Sequence, residues 1–390
     1  MRAMTMLAVL CTTLLACSAD QLSDDGSGPD PSDSADPADQ AAGDGLAELQ
    51  ARASSQYIVT LRDAEATGTA WVEAHGVTAE RVFDHSVRGC VLRGSAEMAE
   101  ELRSDPTVAT VEQDMVVSLG DTADATGDIE VTADAAQFVP GGVIRVGGPA
   151  LTAGQVAWVI DTGIDLDNDD LFVIGPLSTN FVQSEPNDGQ DLNGHGTHVA
   201  GIIAASDNSI DVVGVVPGNP VVAVRVLDHN GHGLVSDIVS GVDYVASLAR
   251  AGDVVNMSLS TPVRVAAIDQ AVISAANQGI LFALSAGNDH VDASTASPAG
   301  VNHPNVFTVS ATGGDDCIAS FSNFGSAVDF GAPGVGITSL AIGGGTVKLS
   351  GTSQASPHVA GILLTGTRPR ADGTACRDTA DGRPDPIAHL

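Results

Sequence analysis

Past Ala136 the chain repeats one pattern, a short unbroken apolar run followed by a stretch with helical spacing. Gln155–Ile160, Pro220–Leu227, Asp253–Met257, Gly279–Ala283 and Val306–Ser310 read as strands. His195–Ala205, Val235–Ala251 and Arg264–Gln278 read as the helices between them. A strand that is apolar along its whole length is buried on both faces, which calls for a parallel sheet covered by helices on either side. The expected class is α/β. In such sheets reacting groups gather outside the carboxyl ends of the strands. Asp161 directly follows one of these strands, and Asn288 stands just beyond another.

Three short segments interrupt the pattern. Asp161-Thr162-Gly163-Ile164-Asp165 puts an acid at a strand end, with glycine allowing a sharp turn. Gly194-His195-Gly196-Thr197-His198-Val199-Ala200-Gly201 puts a histidine at a helix start. Gly351-Thr352-Ser353-Gln354-Ala355-Ser356-Pro357-His358 puts a serine at the start of another helix, which runs to Leu364. A serine hydroxyl is a poor nucleophile until a base removes its proton, and the base needs an acid to fix its tautomer. Singly, each has an ordinary reading as a turn or cap residue. Together they supply acid, base and nucleophile.

The order Asp, His, Ser and all three motifs resemble the subtilisin-like (subtilase) serine endopeptidases, over the chain from Gln56 to about Gly361. The resemblance implies a three-layer α/β/α fold with a mostly parallel sheet. It assigns catalysis to Asp161, His195 and Ser353. Within Ser285-Ala286-Gly287-Asn288 it makes Asn288 an oxyanion donor, together with the Ser353 backbone N–H. Ser258-Leu259-Ser260 matches the strand that pairs with an extended peptide substrate, and Ala286-Gly287 a second wall of its pocket. No charge stands in these segments, which favours an apolar or broad preference. Ser260 replaces a usual glycine, and Gln354 replaces the methionine that normally follows the nucleophile. His198 and His358 do not occupy the base position and are expected to pack.

The same resemblance implies calcium. Ala136-Gln137-Phe138-Val139-Pro140 is similar to the mature start of bacterial subtilisins, and Ala205–Val212 to their calcium loop. The implied ligands are the side chains of Gln137, Asp170 and Asn208 and the carbonyls of Ser206, Ile210 and Val212. Such an all-oxygen set suits Ca²⁺. The plainer alternative is an Asn/Asp-rich surface turn. Asp329 with the carbonyls of Pro304 and Val306 resembles a second family position.

Residues 54–118 form a smaller unit. Strand, helix, two strands, helix and strand follow one another from Gln56 to Val111, the β-α-β-β-α-β order of a ferredoxin-like α+β domain. Tyr57-Ile58-Val59 and Val108–Asp114 resemble the subtilase propeptide (inhibitor I9 type). That implies a domain that aids folding, blocks the active site and is removed autocatalytically. The linker 119–135 is expected to carry the cut, and 136–390 the catalytic domain.

Residues 1–17 read as a secretory leader, with an apolar run Met6–Ala16 too short to span a bilayer. Leu14-Leu15-Ala16-Cys17 resembles a bacterial lipobox, which would lipidate Cys17; an ordinary signal peptide is the alternative. With Ser18 next, a Gram-negative cell would send the protein to its outer membrane. Residues 18–53, rich in Asp, Ser, Pro, Gly and Ala, are expected to be a disordered acidic tether. Cys317 and Cys376 can pair in an oxidising compartment. The tail Thr365–Leu390 lacks the amphipathic helices that end most subtilases.

Charge excludes one class of partner. The chain has 49 acidic and 16 basic side chains, and 49 − 16 gives a net charge of −33, which would repel nucleic acid. Expected partners are protein or peptide substrates and the chain's own propeptide, with membrane contact only through the lipid. The protein is expected to be a monomer, secreted or held at the cell envelope. The rival reading is a catalytically silent surface lipoprotein that uses the fold as a binding module.

Overall fold

The computed structural model describes residues 37–62, 66–119, 136–186, 188–377 and 382–390. The leader with Cys17, the tether up to residue 36 and the linker from 120 to 135 lie outside the described residues. Contacts divide the chain after Ala41, and Ala42–Leu390 forms one compact unit.

Helix α1 (Pro37–Ser55) takes the place of disorder over residues 37–53 of the expected tether. Its alanines, with Leu, Gln and Glu, are strong helix formers, and proline suits a first turn. Leu49 and Ala53, four residues apart on one face, are buried with Leu234, and Val116 packs beside them. That contact stabilises a helix that would be marginal alone in water.

The smaller unit follows as β1 (Gln56–Leu61), α2 (Gly68–His75), β2 (Ala79–Phe83), β3 (Gly89–Arg93), α3 (Ala96–Arg103) and β4 (Val108–Gln113). Its antiparallel sheet has the order β2-β3-β1-β4. Thr67 and Ser95 cap the two helices by accepting from the N–H groups of Ala70 and Met98. Strand β1 is buried on both faces. Tyr57 and Val59 pack with Trp71, Leu92 and Val111, whereas Ile58, Phe83 and Val91 belong to the core of the larger part. A core this small is marginal by itself.

The larger part begins after β5 (Val116–Ser118). It runs through α4 (Gly141–Arg145), β6 (Ala157–Asp161), β7 (Thr179–Asn180), α5 (His195–Ala204), β8 (Val221–Arg225), β9 (His232–Leu234) and α6 (Val235–Leu248). It continues through β10 (Val254–Met257), α7 (Ala266–Asn277), β11 (Leu281–Ser285), β12 (Val306–Thr312) and β13 (Phe330–Pro333). It ends with β14 (Ile337–Leu340), β15 (Thr346–Leu349), α8 (Thr352–Leu364), β16 (Arg370–Thr374) and β17 (Pro386–His389).

Nine strands form one sheet in the order β16-β17-β13-β12-β11-β10-β6-β8-β7, parallel except for the β16–β17 pair. Side-chain alternation along β6 divides two cores. Trp158 and Ile160 pack with Ile238 and Val242 of α6 and Ile268 and Val272 of α7. Ala157 and Val159 pack with Val199 and Ile203 of α5 and Val359 and Leu363 of α8. The result is three layers, with the site at the carboxyl edge of the sheet.

The tail closes the core by strands instead of helices. β17 pairs with β13, with Ile387 opposite Gly331, and Ile387 and Ala388 are fully buried. Ser310 donates to the buried Asp385 carboxylate at 2.6 Å. A Cys317–Cys376 disulfide joins this tail to the loop after β12, across a separation of 59 residues. A loop of that length is expected to contribute about 2–4 kcal/mol. The double variant Cys317→Ser/Cys376→Ser should therefore lose that much unfolding free energy in urea titration. Unchanged stability would show that the tail needs no pin.

Candidate active site

Strand β6 ends on Asp161, which is fully buried. Its Oδ1 accepts from the Thr162 N–H at 2.7 Å and pairs with His195 Nδ1 at 2.8 Å. His195 opens α5. Two glycines allow the approach: Gly163 turns the chain at φ 112°, and a Cβ at Gly196 would lie 2.0 Å from the Gly163 carbonyl oxygen. Burial pulls the His195 imidazole down, but the charge and hydrogen bond of Asp161, with Asp191 farther off, outweigh it. The ring is held above its ordinary value of 6.5.

Asp191 is a residue the sequence reading missed. Its Oδ1 accepts from the Thr162 hydroxyl and from the N–H groups of Asn193 and Gly194, each at 2.9 Å. Its Oδ2 accepts from the Thr197 N–H at 2.9 Å and the Thr197 hydroxyl at 2.6 Å. One buried carboxylate thus fastens the start of α5 to the Asp161 turn. An acid four residues ahead of a helix-starting histidine was the available signal.

Ser353 lies in the first turn of α8. Its hydroxyl donates to the Ser258 carbonyl at 3.1 Å, and the Ser258 hydroxyl returns a 2.7 Å bond to the Ser353 carbonyl. The structure therefore pairs His195 with Asp161 while the Ser353 hydroxyl is held by the Ser258 carbonyl. Asn288 Oδ1 accepts from both the N–H and the hydroxyl of Thr352, each at 2.9 Å. That fixes the amide and leaves Nδ2 as the end able to donate elsewhere. Thr352, a second missed residue, also accepts from the Gly287 N–H.

Ser258, Leu259, Ser260, Gly287, Asn288, Thr352 and Ser353 line a cavity of about 260 Å³, with Val116–Ser118 across it. Ala286 does not line it. It continues β11 by donating to the Val309 carbonyl and is buried with Ala293, Ala296 and Ala299, so of Ala286 and Gly287 only Gly287 lines the cavity, next to Ser285. Ser260 faces that wall, since a Cβ at Gly287 would lie 3.3 Å from its hydroxyl. Asp289, an exposed acid, also lines the cavity, where the matched segments carry no charge. Strand β5 pairs antiparallel with β9: Val116 opposite Leu234, Val117 opposite Gly233 and Ser118 opposite His232.

The residues implied for calcium also converge. Gln137 Nε2 is cradled by the Ser206 carbonyl at 2.8 Å, Asn208 Oδ1 at 3.1 Å and the Ile210 carbonyl at 3.2 Å. Asp170 accepts from Asn208 at 2.7 Å, and its other oxygen is buried without a partner. Burial, opposed by the Asn208 hydrogen bond, pushes Asp170 up to about 7. Three acceptors around one point and an orphaned carboxylate oxygen fit a hard cation. Val212 meets Asp170 through its N–H. Among the described residues no cluster of three or more His, Cys, Asp or Glu groups could hold a metal, so a site here rests on carbonyls and amides.

The second expected position is served otherwise. The Pro304 carbonyl accepts from Arg368 at 2.5 Å, and Asp329 accepts from the Thr308 N–H at 2.9 Å. A guanidinium already supplies positive charge at that carbonyl. His198 and His358 are fully buried. His198 Nε2 bonds the Ile337 carbonyl at 3.1 Å, and His358 Nδ1 bonds the Gln354 carbonyl at 2.9 Å. Burial lowers them to about 3 and about 4, so both are neutral packing groups.

Known proteins resemble the chain across this region. A family model described as the subtilase family matches residues 153–368. Alkaline serine exoprotease A of Vibrio alginolyticus is 40% identical over 300 residues, which are 74% of this chain and 53% of that protein. The chain thus spans about half the length of that relative. Subtilisin NAT of Bacillus subtilis subsp. natto is 40% identical over 290 residues, covering 72% of this chain and 71% of the relative. The crystal structure of a cold-adapted subtilisin-like serine proteinase aligns with a TM-score of 0.54 at 36% identity, over 65% of this chain and 97% of that one.

Proposed function

The chain belongs to the subtilase family, and from that premise we propose that it is a secreted serine endopeptidase made as a self-processing zymogen. The observation that carries the reading is the 2.8 Å Asp161–His195 bond, which gives a histidine the partner a general base needs. At 3.1 Å the Ser353–Ser258 bond is long for O–H···O, so the hydroxyl is readily released. It then turns to His195 Nε2, which takes its proton as Oγ attacks the peptide carbonyl carbon. Asp161 orients the ring and stabilises its cation. Asn288 Nδ2 and the Ser353 N–H donate to the oxygen that becomes negative. His195 passes the proton to the leaving amine, and water resolves the acyl-enzyme by the same steps.

The substrate is an extended peptide that pairs with β9 as β5 does, with Ser258, Leu259 and Ser260 along its other edge. Asp289 disfavours an acidic side chain before the scissile bond and favours a basic one. Residues 54–118 act as the propeptide, with Val116–Ser118 occupying the substrate's place. The cut falls within 119–135 and separates the domain 136–390 from a precursor anchored through Cys17. Calcium, held by Gln137, Asp170 and Asn208 side chains and the Ser206, Ile210 and Val212 carbonyls, would tie the domain's first residues to the loop after α5. Bound to the folded state alone, it raises stability by mass action.

The wild-type protein should mature, with a new N-terminus in or just after 119–135. It should label at Ser353 with a fluorophosphonate, and cut a peptide with Lys before the scissile bond faster than one with Glu. Ser353→Ala should keep residues 54–135 and stay unlabelled, with a lipid-modified Cys17 in its intact mass. An unlabelled wild type, or a Ser353→Ala protein that processes itself, contradicts the reading. Chelation of the mature domain should lower its Tm, and Asn208→Ala should abolish that shift. A Tm indifferent to chelator removes calcium from the account.

A further inference from the structure

Gln354, directly after the nucleophile, is fully buried, and neither end of its amide has a partner among the described residues. Buried amides without partners are rare and call for a reason. The space around Gly351 supplies one. A side-chain carbon there would lie 2.9 Å from Gln354 Oε1, 3.3 Å from Asn288 Nδ2 and 3.6 Å from the Ser353 backbone nitrogen. The three groups surround one small gap, and only glycine leaves it open.

Asn288 Oδ1 is already fixed by both donors of Thr352. Its Nδ2 carries two hydrogens, and a developing oxyanion uses one. The other is free for a second acceptor, and Gln354 Oε1 stands across the same gap. We propose that Gln354 is a positioning residue for Asn288. Its Oε1 accepts the Nδ2 hydrogen not directed at substrate, so that both ends of the Asn288 amide are held as the oxyanion forms. The proposal rests on the endopeptidase reading, in which Asn288 serves the oxyanion.

The test is a double-mutant cycle on mature enzyme, with active sites counted by fluorophosphonate and Tm checked for each variant. Gln354→Met keeps the side-chain volume and removes the acceptor; Gln354→Leu is made beside it in case one fails to mature. Either should lower kcat about 3- to 10-fold with KM unchanged. In an Asn288→Ala background the same substitution should change kcat by less than twofold, because the group acted upon is gone. Full kcat in the single variants, or an equal loss in both backgrounds, would overturn the proposal. An unlabelled parent enzyme would instead overturn the endopeptidase reading.

Discussion

The hydrogen bond between Asp161 and His195 is the contact around which the larger domain is arranged. A carboxylate at the end of a buried strand is strongly disfavoured unless it is paired and hydrogen-bonded. Asp161 has that pairing from the histidine and the Thr162 N–H, but only because α5 begins within reach. Reach is set by the glycine contact between Gly163 and Gly196 and by the five bonds to Asp191. The sheet order puts β10, which leads to the Ser258 wall, next to β6, and β11, which leads to the Asn288 wall, one strand further on the same side.

The smaller unit obeys a related constraint. Its sheet has two apolar faces and covers only one with its own helices, so the second is completed by α6 and α7. Its polar end is fitted likewise. Glu112 accepts from the N–H groups of Ala266 and Ala267 at the start of α7, and Asp114 from Ser236 at the start of α6. Each carboxylate meets donors that a helix leaves unpaired in its first turn, where the helix dipole favours negative charge. Arg81 pairs with the buried Asp237 at 2.6 Å, and Asp243 accepts from the N–H groups of Asp84, His85 and Ser86. These bonds hold the unit so that β5 runs along β9 beside the cavity.

The strands of the central sheet were legible because each is a continuous apolar run, and β6, β8, β10, β11 and β12 lie within a few residues of their expected places. Asp161, His195 and Ser353 stood out because motifs of glycine, acid, histidine and serine have little use in a core. Helix α1 was hidden by acidic composition, since its stability comes from Leu49 and Ala53 meeting Leu234, far along the chain. The tail strands were hidden by Gly, Arg and Asp that face solvent along β16. Which way Ala286 points depends on β11 extending one residue further, and the Arg368 contact with Pro304 joins distant segments. Local pattern carries neither. Asp191 and Thr352 were missed for another reason: their hydrogen bonds join segments that only the fold brings together, and the spacing of Asp191 to His195 was the one local sign.

The charge of Asp161 raises a buried ring, and titration of that ring tests this directly. In Ser353→Ala protein, which should not digest itself, the ¹⁵N signals of His195 should show a midpoint above 6.5. Catalysis needs the neutral ring, so activity of the parent enzyme should rise with pH through that midpoint. Adding Asp161→Asn leaves burial without the charge, and the midpoint should then fall below 6.5. A His195 midpoint below 6.5 with Asp161 intact, or one that Asp161→Asn does not move, would contradict the account.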